Sequence, residues 1–201
     1  IFIATSSVGP GSTNMVTAAA VALSNRLPLL LLPGDTFANR FPDPVLQQVE
    51  NFTSPTETQN DSFKAVSKYF DRITRPEQIL ASLPQALQVM LDPADCGPAT
   101  ISISQDVQGE AFDYPEIFFE EKVHEIRRIH PDPNQIHAAA EKLKSSKQPI
   151  IISGGGVLYS EAEKELSDFA KKHNIPVTPT VMGLGCMTKD DPYYIGAIGC
   201  L

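Results

Sequence analysis

Ile1-Phe2-Ile3-Ala4-Thr5-Ser6-Ser7-Val8-Gly9-Pro10-Gly11-Ser12-Thr13-Asn14, followed further on by Pro28-Leu29-Leu30-Leu31-Leu32-Pro33-Gly34-Asp35, decides the fold class. The first apolar run, Ile1 to Thr5, reads as a short buried strand. Gly9-Pro10-Gly11 is a turn, and Ser12 or Thr13 is placed to cap a helix over Asn14 to Asn25. The second run, bounded by prolines, reads as an interior parallel strand buried on both faces. Strand, helix, strand in this order is one right-handed βαβ unit. The turn has a further property: glycine lacks the Cβ that keeps a ligand away from the backbone, and N–H groups at a helix start converge on one spot.

Beyond this unit the pattern dissolves from Thr36 to Thr58, where Pro42, Pro44 and Pro55 alternate with Asn39 and Asn51. Val45 to Val49 has room for one helical turn, and a short helix over Phe63 to Tyr69 follows. Loops of this length in compact domains are commonly functional or disordered. Pro76 suits the first turn of a helix running to Leu91, with an apolar stripe of Ile79, Leu80, Leu83, Leu87 and Met90 and a kink at Pro84. Pro98 to Val107 reads as the next strand. Residues 111 to 133 are acidic and aromatic, close with Pro131 and Pro133, and read as a linker between residues 1–110 and 134–201. A second βαβ pattern then begins: a helix over Asn134 to Lys144, a strand over Pro149 to Ser153, the turn Gly154-Gly155-Gly156, a helix over Ser160 to His173 and a strand over Pro176 to Pro179. The fold class is therefore α/β, with parts of two parallel-sheet, doubly wound domains. A buried strand opening a chain without an initiator Met reads as an internal piece of a longer protein.

Composition narrows the partners. A net charge of −8 disfavours nucleic acid and anionic membranes, which reward clustered Lys and Arg. No apolar run approaches the roughly 20 residues that span a bilayer. Cys96, Cys186 and Cys200 are too few and too scattered for a disulfide framework or a zinc site, which points to a reducing, cytoplasmic setting. The four histidines supply no pair one helical turn apart, so no metal site is expected from them. Gly154-Gly155-Gly156 invites a phosphate reading but lacks the spaced third glycine of a dinucleotide fingerprint and the Lys-Ser/Thr of a P-loop. A plain strand-to-helix turn is the competing reading. No Gly-x-Ser-x-Gly elbow surrounds a serine.

Thr5 through Asn14, then Asn25-Arg26-Leu27-Pro28 leading into Leu31-Leu32-Pro33-Gly34-Asp35, closely resemble thiamine-diphosphate-dependent enzymes, the acetohydroxyacid synthase and pyruvate oxidase relatives. Asp43 to Glu50, Tyr69 to Gln78 and Gly97 to Val107 are similar to the inositol-catabolic branch of that superfamily, whose members hydrolytically open a trihydroxycyclohexane-1,2-dione ring. The resemblance continues through Ile150 to Gly156 and Met182 to Gly185. It implies that residues 1–110 are the C-terminal part of a pyrimidine-binding domain and that 134–201 open a central domain. It further implies that Gly9, Pro10, Gly11 and Asn14 approach the rings of thiamine diphosphate. Many relatives carry a Gln where this chain has Asp61-Ser62-Phe63-Lys64, so Phe63 or Lys64 is expected to line the site instead. The catalytic glutamate is expected upstream of Ile1, and the segment binding diphosphate and magnesium downstream of Leu201. The parent is then a C–C bond hydrolase and a homo-oligomer, dimer or tetramer, and the isolated chain is inactive. Two alternatives stay open: an acetohydroxyacid synthase-like carboligase or decarboxylase, and a non-catalytic nucleotide-binding module built on Gly154 to Gly156.

Overall fold

A computed structural model describes residues 1–41 and 48–199 and divides the chain into two compact units, 1–127 and 128–201. The expected helical turn over Val45 to Val49 falls mostly outside the described residues, as do Asp43 to Gln47 and Cys200.

In the first unit four strands, β1 (Phe2–Ser6), β2 (Leu29–Asp35), β3 (Tyr69–Ile73) and β4 (Ala99–Ser104), form an all-parallel sheet of order β1-β2-β4-β3. Parallel neighbours need crossovers, and these carry the helices. The alternation of side chains sorts the two faces. Leu30, Ile73, Ala99 and Ile101 pack with Ala86 and Met90 of α3 (Ile79–Met90) on one face. Leu31, Leu29 and Phe70 pack with Ala19 of α2 (Val16–Ser24) and with Phe63 on the other. The sheet is thus wound on both sides, as the α/β reading anticipates.

Several local expectations are corrected. Among the described residues β1 pairs with β2 alone, and Phe2 and Ile3 are 84% and 65% exposed rather than buried. β2 runs through Pro33 instead of stopping at it. Its ladder to β4 pairs Leu30, Leu31, Gly34 and Asp35 and skips the stretch where Pro33 has no N–H to donate. The helix expected from Asn14 is two: α1 (Pro10–Thr13) and, after Asn14 and Met15, α2. Ser12 and Thr13 do not cap; their hydroxyls donate to the carbonyls of Gly9 and Pro10. The helix expected over Phe63 to Tyr69 is a 3-10 helix, Gln59–Ala65, and residues 69–73 form β3.

In the second unit α4 (Pro133–Ser145) is capped by Asp132, whose carboxylate accepts from the N–H groups of Asn134 and Gln135. A two-stranded parallel sheet joins β5 (Ile151–Ser153) and β6 (Val177–Pro179). Between them lie α5 (Gly155–Tyr159) and α6 (Glu163–His173): the helix expected from Ser160 begins at Glu163, and a separate short helix starts inside the triple glycine, where only a turn was expected. α6 places Glu163 and Glu165 in its first turn and Lys171, Lys172 and His173 in its last, matching the helix dipole, and ends on Asn174 in the left-handed region.

Candidate functional site

The C-terminal ends of the four parallel strands, Ser6, Asp35, Ile73 and Ser104, lie along one edge of the first unit's sheet. That edge is where open α/β sheets bind ligands. Two structural devices shape it.

The first is the turn after β1. Gly9 adopts φ 78°, ψ −129°, a region essentially reserved for glycine, and hands the chain to Pro10 at the start of α1. Pro10, Thr13 and Asn14 are exposed, whereas Ser12 is fully buried. A Cβ on Gly11 would stand 2.8 Å from Ser7 Oγ, an exposed hydroxyl that can rotate away. Gly34 at the end of β2 is the more firmly constrained: its Cβ would stand 3.1 Å from the Val8 backbone nitrogen. The turn is thus seated on β2, and α1 lies beside the 3-10 helix Gln59–Ala65. Ser6 Oγ, at the strand end beneath the turn, is buried without a hydrogen-bond partner. The geometry brings Gly9, Pro10, Gly11 and Asn14 to the same rim as the 3-10 helix.

The second device fixes that 3-10 helix. Thr58 caps it reciprocally: the Thr58 hydroxyl accepts from the Asn60 N–H, and Asp61 Oδ2 accepts from the Thr58 N–H at 2.8 Å. Arg72 of β3 braces the arrangement. Its Nε donates to Asp35 Oδ2 at 2.7 Å, and its Nη2 donates to Asp61 Oδ1 and to the Thr58 hydroxyl, both at 2.9 Å. Asp35 is 0% exposed and also accepts from the Ser102 hydroxyl and the Thr36 N–H. Asn60, equally buried, donates to Gly34 O and Ser102 Oγ, leaving its own Oδ1 unpartnered. Burial pushes the Asp61 carboxyl up, yet Lys64, the Thr58 N–H and Arg72 together hold it below the usual carboxylate range. For Arg72, burial works against the charge, and Asp35 and Asp61 outweigh it, so the guanidinium stays protonated.

The two side chains expected to line the site separate. Phe63 is 0% exposed and packs in the core with Ala19 and Leu31, so its side chain is turned away from the rim. Lys64 is exposed; its Nζ pairs with Asp61 Oδ1 at 2.9 Å and stands 5.4 Å from the Phe70 ring centre. Gln59, which sequence reasoning passed over, opens the 3-10 helix, and both polar atoms of its amide are buried without partners. The signal for it was present: Thr58-Gln59-Asn60-Asp61 has the Ser/Thr-x-x-Asp/Glu form of a capping box. An open cleft of about 620 Å³ runs beside this helix, lined among the described residues by Glu50, Glu57, Thr58, Gln59, Asp61 and Lys64. Its outer wall is the loop closed by the antiparallel bridge of Glu50 with Thr58 and turned by Asn51, whose Oδ1 accepts from the N–H groups of Thr53 and Ser54.

Of the triple glycine of the second unit, Gly155 has a packing explanation. A Cβ on Gly155 would meet Tyr159 at 3.2 Å and the Met182 carbonyl at 3.3 Å, while Gly156 faces open space. Among the described residues no group of three or more His, Cys, Asp and Glu side chains is gathered as a cation site requires. None of the described helices is long and apolar enough to cross a membrane.

Comparison with known proteins adds to this geometry. Residues 136–201 match the family described as thiamine pyrophosphate enzyme, central domain. The chain is 52% identical over 199 residues to the 3D-(3,5/4)-trihydroxycyclohexane-1,2-dione hydrolase of Clostridium tetani, covering 99% of this chain and 31% of that protein. It is 50% identical to the protein of the same name from Geobacillus thermodenitrificans, with the same coverage. The chain therefore spans about a third of the length of these relatives. Among solved structures, the thiamine diphosphate-dependent 4-hydroxybenzoylformate decarboxylase of Rhodococcus jostii RHA1 superposes with a TM-score of 0.78 at 21% identity. That match covers 97% of this chain and 36% of that one, a likeness of fold.

Proposed function

We propose that this chain forms part of a thiamine-diphosphate-dependent hydrolase that opens the ring of a trihydroxycyclohexane-1,2-dione. The observation that carries the reading is the 52% identity, spread over nearly the whole chain, to a protein of that name. Residues 1–110 are then the C-terminal part of a pyrimidine-binding domain, 111–133 a linker and 134–201 the start of a central domain.

The rim of the first unit fits the organic end of the cofactor. The glycine-only conformation at Gly9 and the exposed Pro10 and Asn14 offer an uncluttered backbone and one amide at the strand ends. Ser6 Oγ is a buried polar atom in want of a partner there. When bound, thiamine diphosphate supplies the carbon nucleophile and electron sink that C–C cleavage needs. Gly9, Pro10, Gly11 and Asn14 orient its rings. Lys64, exposed and paired with Asp61, is the residue of the 3-10 helix left to line the site. Phe63 holds the helix to the core from below. Magnesium and diphosphate are assigned to parts of the protein other than the described residues. An inositol-degrading role, a cytoplasmic location and a homo-oligomeric parent belong to the same reading.

The test is a chimera in which this chain replaces the aligned segment of the Clostridium tetani hydrolase, supplied with thiamine diphosphate and magnesium. Ring opening of the cyclic dione, followed by NMR as a new carboxylic acid, is the expected result. Consumption of pyruvate without ring opening overturns the reading in favour of a carboligase or decarboxylase.

A further inference from the structure

We propose that the cavity at the carboxyl ends of β2, β3 and β4 is a binding site for a small oxyanion, a carboxylate or a phosphate, with Arg40 as its cation and Ser104 as its buried donor. The inference is independent of the hydrolase reading, whose cyclic dione carries no formal charge for a guanidinium to recognise.

The first observation is position. β2 leads on to the 3-10 helix, whose Phe63 packs with Leu31 on one face of the sheet, and β4 leads on to Val107, which packs with Ile101 on the other. Neighbouring strands whose chains leave for opposite faces open a crevice between their carboxyl ends, the place where open α/β sheets take ligands. A cavity of about 210 Å³ lies there. Thr36 follows β2, Ser104 ends β4, Arg72 and Thr74 lie at the end of β3, and Arg40 and Thr56 come from the loop between β2 and β3.

The second is a set of donors without partners. Arg72 commits Nε and Nη2 to Asp35, Thr58 and Asp61, but its Nη1 makes only a 3.4 Å contact, with the Thr56 carbonyl. The Arg40 guanidinium has no hydrogen bond or ion pair among the described residues, although Glu50 and Glu57 border the adjoining cleft with it. Ser104 is 2% exposed and borders the cavity, and its hydroxyl has no hydrogen bond among the described residues. Native structures seldom leave so buried a donor without a partner.

The third is the backbone of Arg40, at φ 60° in the left-handed region that residues other than Gly and Asn seldom enter. Such strain is kept at ligand clamps where the surroundings impose it. Here Asp106 does so, its carboxylate accepting from the Ala38 and Asn39 N–H groups at 2.9 and 3.0 Å. The lining then selects the ligand. No carboxylate borders the cavity among the described residues, and guanidinium and hydroxyl groups together suit the oxygens of a carboxylate or phosphate. The volume lies below the roughly 300–1,000 Å³ of small-molecule sites, which limits the occupant to a small ion or the charged end of a larger molecule.

The test titrates the 201-residue chain with acetate and with inorganic phosphate at constant ionic strength, chloride serving as the reference anion, and follows backbone amides by NMR. Saturable shifts at Thr36, Arg40 and Ser104 from acetate, phosphate or both, beyond those from chloride, are expected; the stronger of the two identifies the ligand's chemistry. Arg40→Asn removes the charge and suits the left-handed backbone. It should weaken binding roughly tenfold, the loss of one charge-assisted hydrogen bond, without lowering the melting temperature. Ser104→Ala should weaken binding severalfold and serves as the second variant. Binding no stronger than that of chloride, shifts confined to other residues, or binding unchanged in either variant overturns the proposal. No ring opening is measured, so a failure here leaves the hydrolase reading standing, and a chimera that fails to open the ring leaves the anion site standing.

Discussion

Arg72→Met should be the most damaging single substitution in the polar network at the sheet edge, and the reason lies in an asymmetry of burial. Asp35 is 0% exposed, whereas the Arg72 side chain is 21% exposed. Removing the guanidinium leaves a carboxylate in the interior with only the Ser102 hydroxyl and the Thr36 N–H as donors. Breaking a buried pair from one side costs about 3–5 kcal/mol, because the orphaned charge stays buried. The converse change, Asp35→Asn, leaves Arg72 in contact with solvent, Asp61 and Thr58, and should cost about 1.5–3 kcal/mol, the value of one hydrogen bond to a charged group. The double variant should cost less than the sum of the two. Hydrogen exchange with mass spectrometry suits a chain of two units that need not unfold together. Arg72→Met should accelerate exchange in β2 and β4 by about two to four orders of magnitude and leave β5 and β6 as an internal reference. Acceleration below about fivefold, or a larger effect from Asp35→Asn, would refute the burial argument.

Two further outcomes follow from the geometry. In the second unit, Gly183→Ala places a Cβ 2.2 Å from the Ser153 carbonyl oxygen, whereas one on Gly156 meets nothing within 4 Å. The first should lower the melting temperature of that unit by several degrees, an overpacking cost of about 1–3 kcal/mol or more, and Gly156→Ala should do far less; equal effects in calorimetry would contradict the packing. The third prediction concerns acid. The folded-state pKa of Asp61 lies below its unfolded value of about 3.9, so its contribution is fully present above about pH 4 and is lost as pH falls through the folded value. Asp61→Asn should flatten that loss: as pH falls below about 4 the variant should lose less stability than the wild type, and an identical loss in both would show that Asp61 is not the group responsible.

How much was legible in the sequence depended on whether the cause was local. The Leu29–Leu32 run, the β-branched and apolar core of β4 and the stripe of α3 each announce themselves by periodicity, and each was found within a few residues. Gly9 announced its turn because only glycine serves there. β3 escaped notice because Asp71 and Arg72 interrupt its apolar pattern; those residues adopt a strand through pairing with β4, a partner some thirty residues away. The split between α1 and α2 was hidden for a similar reason. Ser12 and Thr13 look like caps, but their hydroxyls turn back to carbonyls one turn earlier, a choice propensity does not reveal. At the site, the exposed rim residues of the turn were readable. The brace was not, since nothing in the sequence of Asp35, Asp61 or Arg72 states that they meet.

The separations within that brace bear on how the protein is assembled. Asp35 reaches Arg72 across 37 residues and Ser102 across 67. No local nucleus can form these contacts, and the entropy of closing such loops must be offset before they stabilise anything. The rim that carries Gln59 and Lys64 is thus completed only after three strands have found their order. A ligand that engages it binds the finished unit and not its precursors. Occupancy then draws the folding equilibrium of the first unit toward the native state in proportion to ligand concentration, coupling the supply of a small molecule to the survival of the protein.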